Sequence, residues 1–138
     1  MSLLRMGLEL DGSSRGRQVR DIVHGLRSVA GARGALLVAP DGFVIAAEAP
    51  PSVALDPLAA LAATLGRDLE VGAARLGRGA FQTAVFSADD GALFLSTTRI
   101  GFVVLLAEPQ ANIATIRAAL EEAVTLIDSG WAPSATAT

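Results

Sequence analysis

The chain has 138 residues, a formal net charge of −3 and 51% apolar residues, and it contains no cysteine, lysine or tyrosine. This length predicts one domain, and the acidic balance argues against a nucleic-acid binder. The missing residue types exclude disulfides, thiolate chemistry, a P-loop lysine and Schiff-base catalysis.

The periodic apolar positions that indicate a folded domain extend over residues 13–129. Residues 1–12 show no dependable period and are interpreted as an N-terminal arm, too interrupted for a signal peptide. Residues 130–138 have the small side chains of a flexible C-terminal tail. The longest strongly apolar run, 100–107, is far shorter than the roughly 18 residues that span a bilayer. We therefore expect a cytoplasmic protein that does not insert into membranes.

The first two predicted elements are a helix and a hairpin. The helix covers 15–30, with Ser13 and Ser14 as candidate N-caps and a buried stripe that contains Val19, Ile22, Val23, Leu26 and Val29. Two short apolar runs, 35–39 and 43–47, flank Pro40-Asp41-Gly42 and predict two antiparallel strands joined by a tight turn.

A second helix is predicted over Asp56–Leu76, with Asp56 as its cap and Pro57 at its first position. The stripe expected to face the sheet contains Leu58, Ala62, Leu65, Leu69, Gly72 and Leu76. A second surface is made of small residues: Ala59, Ala60, Ala63, Gly66, Ala73 and Ala74. This surface reflects either an alanine-rich composition or a helix that is also buried against a partner, because small residues allow close helix contacts.

Three more strands and a last helix complete the chain. The strands are predicted over 80–87, 92–99 and 101–107, with a hairpin turn at Asp89-Asp90-Gly91. Asn112 is the expected N-cap of a third helix that ends at Gly130. The order α-β-β-α-β-β-β-α predicts an α+β fold, a five-stranded antiparallel sheet with helices on both faces.

The search for catalytic chemistry finds no convincing site. The one histidine, His24, lies on the polar face of the first helix, so neither a Ser-His-Asp triad nor a zinc site is expected. The acidic pairs Asp89-Asp90 and Glu121-Glu122 fit a turn and an exposed helix face. No glycine spacing matches a nucleotide-binding loop. We expect a protein that is not an enzyme and needs no metal or cofactor.

The segment 31–49, GARGALLVAPDGFVIAAEA, and the order of elements over 13–129 resemble the Roadblock family of dynein light chains. The resemblance is greatest to the bacterial branch, which includes the gliding-motility activator of a Ras-like GTPase. It implies a Roadblock/longin-like fold and a dimer in which the third strands pair and the second helices lie side by side. It also implies that the activator reorganises the GTPase's own catalytic machinery.

On that resemblance the chain is a homodimeric regulator, either activating or effector-type, of a small Ras-like GTPase. The alternative is a non-catalytic dimeric scaffold for a signalling or motility complex, and a small-ligand sensor is a third reading. The residues that the resemblance assigns to the dimer interface are Ala59, Ala63, Gly66, Glu70, Ala73, Gln82, Thr83 and Ala84. Arg67 and Arg75 are the candidate contacts for the GTPase.

Overall fold

The computed structural model describes residues 14–130, which contain three helices and five strands in the predicted order. The elements are α1 (Ser14–Arg27), β1 (Ala32–Val38), β2 (Val44–Glu48), α2 (Leu55–Leu76), β3 (Thr83–Ala88), β4 (Gly91–Thr98), β5 (Gly101–Ala107) and α3 (Ile113–Gly130). The α+β prediction is therefore confirmed. The predicted arm 1–12, Ser13 and the predicted tail beyond Gly130 lie outside the described residues.

The strands form one antiparallel sheet in the order β2-β1-β5-β4-β3. The central strand β5 and its neighbour β1 are buried along most of their length because helices cover both faces of the sheet. This explains why 101–107 is apolar throughout, as a doubly covered strand must be. β2 and β3 are the two edges of the sheet.

The helices divide the core into two clusters. α1 and α3 cover one face of the sheet, where Val23, Leu120 and Ile127 pack against Phe94 and Leu105. α2 lies alone on the opposite face, over a second cluster that includes Leu36, Val38, Leu95, Phe102 and Val104. The domain thus has three layers, and its single-helix face is the less completely covered one.

Local signals set the ends of the helices. Asn112 caps α3 as predicted, because its side-chain oxygen accepts a hydrogen bond from the Thr115 amide at 3.0 Å. Gly77 ends α2 in the left-handed conformation, at φ 67°. The prediction that Asp56 is an N-cap is wrong: Ala54 occupies that position, and Asp56 lies in the first turn. There its carboxylate still faces the positive end of the helix dipole.

The third strand begins later than predicted, at Thr83 rather than at residue 80. The reason is Phe81, whose side chain packs into the cluster beneath α2 before pairing with β4 starts. The apolar side chain of Ile113 is 51% exposed, because Ile113 is the first residue of α3 and lies at the end of the helix.

The contact between α2 and the sheet predicts opposite effects for two glycines of the same helix. A Cβ at Gly66 would lie 2.5 Å from Cζ of the buried Phe102 ring, so Gly66→Ala should lower the free energy of unfolding by about 1–3 kcal/mol. A Cβ at Gly72 would meet no atom within 4 Å, so Gly72→Ala should raise it by up to about 1 kcal/mol. Urea unfolding of both variants checks this; equal stability of the two would contradict the close contact.

Candidate interaction surface on α2 and β3

The face of α2 that lies on the sheet is built from small residues. Ala59, Ala62 and Ala63 are at most 1% exposed, and Gly66 sits directly on the ring of Phe102. The prediction that Ala59, Ala63 and Gly66 face outward is therefore wrong. The sheet of their own chain covers them, and a partner cannot reach them.

The leucines predicted to face the sheet do so only in part, because they lie along one side of α2. Only Ala62 of that stripe is buried; Leu58, Leu65 and Leu69 are half-buried and pack against the edge of the cluster. Leu61, three residues after Leu58 and four before Leu65, is 51% exposed, and Leu76, seven residues after Leu69, is 75% exposed. We call this row the apolar flank, and its members are Leu58, Leu61, Leu65, Leu69, Gly72 and Leu76.

Two other predicted interface residues make contacts within the chain. The carboxylate of Glu70 accepts a hydrogen bond from the Thr97 hydroxyl of β4 at 3.1 Å, which links α2 to the end of that strand. Ala73 is half-buried one turn further along the helix. Although it accepts this hydrogen bond, the Glu70 side chain is exposed to solvent.

The two candidate arginines differ in their surroundings. The guanidinium of Arg67 donates a hydrogen bond to the backbone carbonyl of Pro40, in the turn between β1 and β2. Arg67 therefore holds α2 to this turn, on the side of the helix away from the apolar flank. Arg75 is exposed in the last turn of α2, where a positive charge is favoured by the helix dipole.

The Arg67 contact predicts a stability effect that Arg75 does not share. Arg67→Ala should lower the free energy of unfolding by about 0.5–1.5 kcal/mol, because the hydrogen bond to Pro40 is lost. Arg75→Ala removes the same side chain from an exposed position and should change it by less than about 0.5 kcal/mol. Thermal or urea unfolding distinguishes the two. If both variants unfold alike, Arg67 does not hold the turn.

The predicted residues on the third strand lie at the beginning of the free edge. Gln82 is exposed just before β3, and its carbonyl accepts a hydrogen bond from the Thr97 amide at 3.1 Å. The Thr83 and Ser96 hydroxyls are 2.9 Å apart, which satisfies the one buried polar side chain of the described core. Ala84 is half-buried opposite Leu95.

The backbone of β3 leaves alternate amides facing away from β4. Gln82 pairs with β4 through its carbonyl, and hydrogen-bonded and non-hydrogen-bonded residues alternate along an antiparallel ladder. The amides of Thr83, Val85 and Ser87 therefore point toward the outer edge, which no strand within residues 14–130 covers. The register from Thr83 to Ala88 contains no bulge. This edge is a regular template for pairing with another strand.

β3 also presents an apolar side chain on the face of the sheet that α2 covers. Phe86 lies opposite Leu93, so both point to the α2 face of the sheet, and Phe86 is 41% exposed. Leu93 packs in the same cluster as Leu65 and Leu69. Phe86 and the apolar flank therefore lie on the same face of the sheet, and the outer edge of β3 borders that face. Two sequence patterns could have identified these residues as candidates. Phe86 belongs to the alternating pattern over 81–87, and Leu61 lies at helical spacing from Leu58 and Leu65.

The groups considered for catalysis lie apart from this surface. The Nδ1 atom of His24 is 3.2 Å from the Glu48 carboxylate, at an exposed position between α1 and β2. The two predicted acidic pairs are exposed. Within residues 14–130 no group of three or more His, Asp and Glu side chains could hold a metal ion. No helix in this part of the chain has the length and apolar character needed to cross a membrane.

A five-stranded antiparallel sheet of this order, between one helix and a helix pair, defines a three-layer α+β domain with β2 and β3 as its edge strands. The family model of the Roadblock/LC7 domain matches residues 19–107. The chain belongs to the Roadblock/LC7 family.

Individual proteins resemble this chain in sequence or in fold. The uncharacterized protein MJ0310 of Methanocaldococcus jannaschii is 28% identical over 98 residues, which cover 71% of this chain and 86% of that protein. A Roadblock/LC7 domain from Streptomyces avermitilis superposes with a TM-score of 0.72 at 25% identity, covering 80% of this chain and 94% of the other. The gliding protein MglB from Thermus thermophilus has the same fold, with a TM-score of 0.77, 24% identity, and coverage of 86% and 91%.

Proposed function

We propose that this chain is a homodimeric regulator of a small Ras-like GTPase. The observation that supports it best is the combination of the apolar flank of α2 with a regular, unpaired β3 edge on the same face of the sheet. Exposed apolar side chains that form a continuous patch mark interaction sites more often than scattered ones do. An unpaired strand beside them supplies backbone hydrogen bonds for the same contact.

Two copies of this surface are complementary to each other. In a two-fold arrangement the β3 strands of two protomers pair antiparallel and extend the sheet, and the same residues meet on both sides. The apolar flanks then face each other across the extended sheet. The interface residues shift accordingly from Ala59, Ala63 and Gly66 to the neighbouring leucines, Leu61 and Leu65, while Thr83 and Ala84 remain candidates on the strand.

The GTPase would bind to the outer surface of the two α2 helices. This surface carries Thr64, Arg67, Asp68 and Arg75, all exposed. The regulator needs no catalytic group of its own, because it acts by ordering the catalytic residues of the GTPase. Arg75 is the better candidate for a polar contact, since Arg67 is already bound to Pro40.

A dimeric scaffold is the second candidate, favoured by the same surface. A scaffold would bind its partners through α2 without changing the rate of GTP hydrolysis. The experiments below separate these two functions after they have tested the dimer that both require.

The apolar flank predicts that Leu61→Glu weakens self-association. A symmetric contact would lose two leucines, one from each protomer, and burial of each contributes about 1.5 kcal/mol to the free energy of dimerisation. The dimer dissociation constant should therefore rise about 100-fold. Val71→Glu is the matched control, because Val71 is 53% exposed on another side of the same helix and should leave the constant unchanged. Sedimentation equilibrium measures both. A Leu61→Glu variant that associates like the wild type would place the interface elsewhere.

The edge of β3 predicts a separate effect of proline at Val85. Proline lacks the amide that points outward, yet it keeps the β4 side of the ladder, so Val85→Pro should abolish strand pairing between protomers while the monomer stays folded. Val85→Thr keeps both the amide and the β-branched shape, and it should associate normally. Sedimentation and circular dichroism report on the two properties. Normal association of Val85→Pro would exclude pairing through β3.

The GTPase proposal predicts faster hydrolysis by a Ras-like GTPase from the same organism. Single-turnover GTP hydrolysis should accelerate when the wild-type chain is added, and much less when Leu61→Glu is added, because the platform requires two α2 helices. Arg75→Ala should weaken binding but leave the rate at saturation unchanged. If Arg75→Ala instead lowered the hydrolysis rate at saturation by about 10³-fold or more, Arg75 would be identified as an arginine finger.

The remaining outcomes of this experiment are equally informative. Binding without acceleration would favour the scaffold. No binding in either nucleotide state, together with no acceleration, would refute the regulator even if the dimer were confirmed by sedimentation.

A further inference from the structure

A groove of about 690 Å³ runs between α1 and α3, on the face of the domain opposite α2. Ile22, Leu26 and Val29 of α1 and Leu126 of α3 supply apolar walls. Gly25, Ala119 and Ala123 are too small to fill the space between the helices. Leu126 is 43% exposed in this groove, and nothing from residues 14–130 covers it.

The rim of the groove is charged on both sides. Arg17 and Asp21 line it from α1, and Glu122 lines it from α3. Ser14, the first described residue, also lines the groove, so the chain enters α1 at one end of it. Residues 1–13 are therefore attached directly to the end of an apolar groove.

The sequence of this attached segment suits the groove. Residues 1–12 have no dependable period as a whole, but from Leu4 to Leu10 apolar residues alternate with Arg5, Gly7 and Glu9, so an extended chain would present Leu4, Met6, Leu8 and Leu10 on one side. The charged residues of the segment have both signs, as the rim does. Docked in this form, the segment would place its apolar side chains in the groove and Arg5 and Glu9 beside solvent and the rim charges.

The segment is also long enough. α1 has 14 residues and is about 21 Å long, at 1.5 Å per residue. An extended segment of 13 residues reaches roughly 43 Å, which allows the chain to reverse before Ser14 and still follow the whole groove. A covalent tether of this length keeps the segment at an effective millimolar concentration, so even modest contacts are sufficient.

The free edge of β2 is a less suitable site for the same segment. The pairing between β1 and β2 contains a register shift between Leu37 and Val38, and β2 has only five residues before the chain reaches Pro50-Pro51. A bulged, short edge is a poor template for strand addition. The groove has neither restriction.

We infer that residues 4–10 of this chain dock in the groove between its own α1 and α3, as an intramolecular strap on the face opposite the proposed dimer and GTPase surface.

The absence of native cysteine allows a direct test in the full chain. The double variant Leu8→Cys/Leu126→Cys should form an intramolecular disulfide under mild oxidation, at least about tenfold faster than Leu8→Cys/Val71→Cys. Val71 is similarly exposed but lies on α2, on the opposite face. A third pair, Leu8→Cys/Ile45→Cys, reports on addition of the segment to the β2 edge. Non-reducing electrophoresis and peptide mass spectrometry identify each product.

Each result decides the proposal. A fast monomeric disulfide between positions 8 and 126 that is independent of protein concentration supports the strap. A covalent dimer between the same positions would show a groove filled by a second copy and would overturn it. Preferential reaction with position 45, equal rates for all pairs, or no disulfide would overturn it as well.

Discussion

The close approach of α2 to the sheet through Gly66 is the contact on which the arrangement of the single-helix face depends. The Phe102 ring fills the space that a side chain at position 66 would occupy, and three alanines complete the same narrow face. Interaxial distance follows the size of the side chains at the contact. The small residues on the sheet-facing side of α2 therefore allow the helix to pack close to the sheet. This close packing determines which side of the helix is left exposed.

The consequence is that the large apolar residues of α2 are displaced to its side. Leu58, Leu65 and Leu69 reach down only at the margin of the cluster, while Leu61 and Leu76 stay exposed. α2 by itself does not cover the β3 end of the sheet, where Phe86 is also exposed. The single-helix face is thus incomplete in one protomer, in contrast to the other face, where two helices enclose Phe94 and Leu105.

Most elements of this fold could be predicted from the sequence because their signals are local. The Pro40-Asp41-Gly42 turn, the Asn112 cap and the stop at Gly77 depend on nearby residues, and each lies where it was expected. The orientation of α2 could not be predicted in the same way. Its sequence offers two apolar rows, one of leucines and one of alanines and glycines, and hydrophobicity favours the leucine row for the core. The choice is made by the bulk of Phe102, which is distant from α2 in the chain.

The two edges of the sheet restrict how copies of this domain can associate. β3 keeps an unbroken register with β4, whereas β2 is short, lies beside a register shift and is soon followed by two prolines. If only the β3 edge can pair with another strand, β3 of one protomer must pair with β3 of the other. This two-fold arrangement forms a closed dimer. If the β2 edge could also pair, β3 of one protomer could pair with β2 of the next, and repetition of this contact would produce an open fibre. The irregular β2 edge therefore complements the regular β3 edge, since it limits the proposed sheet extension to one pair of protomers.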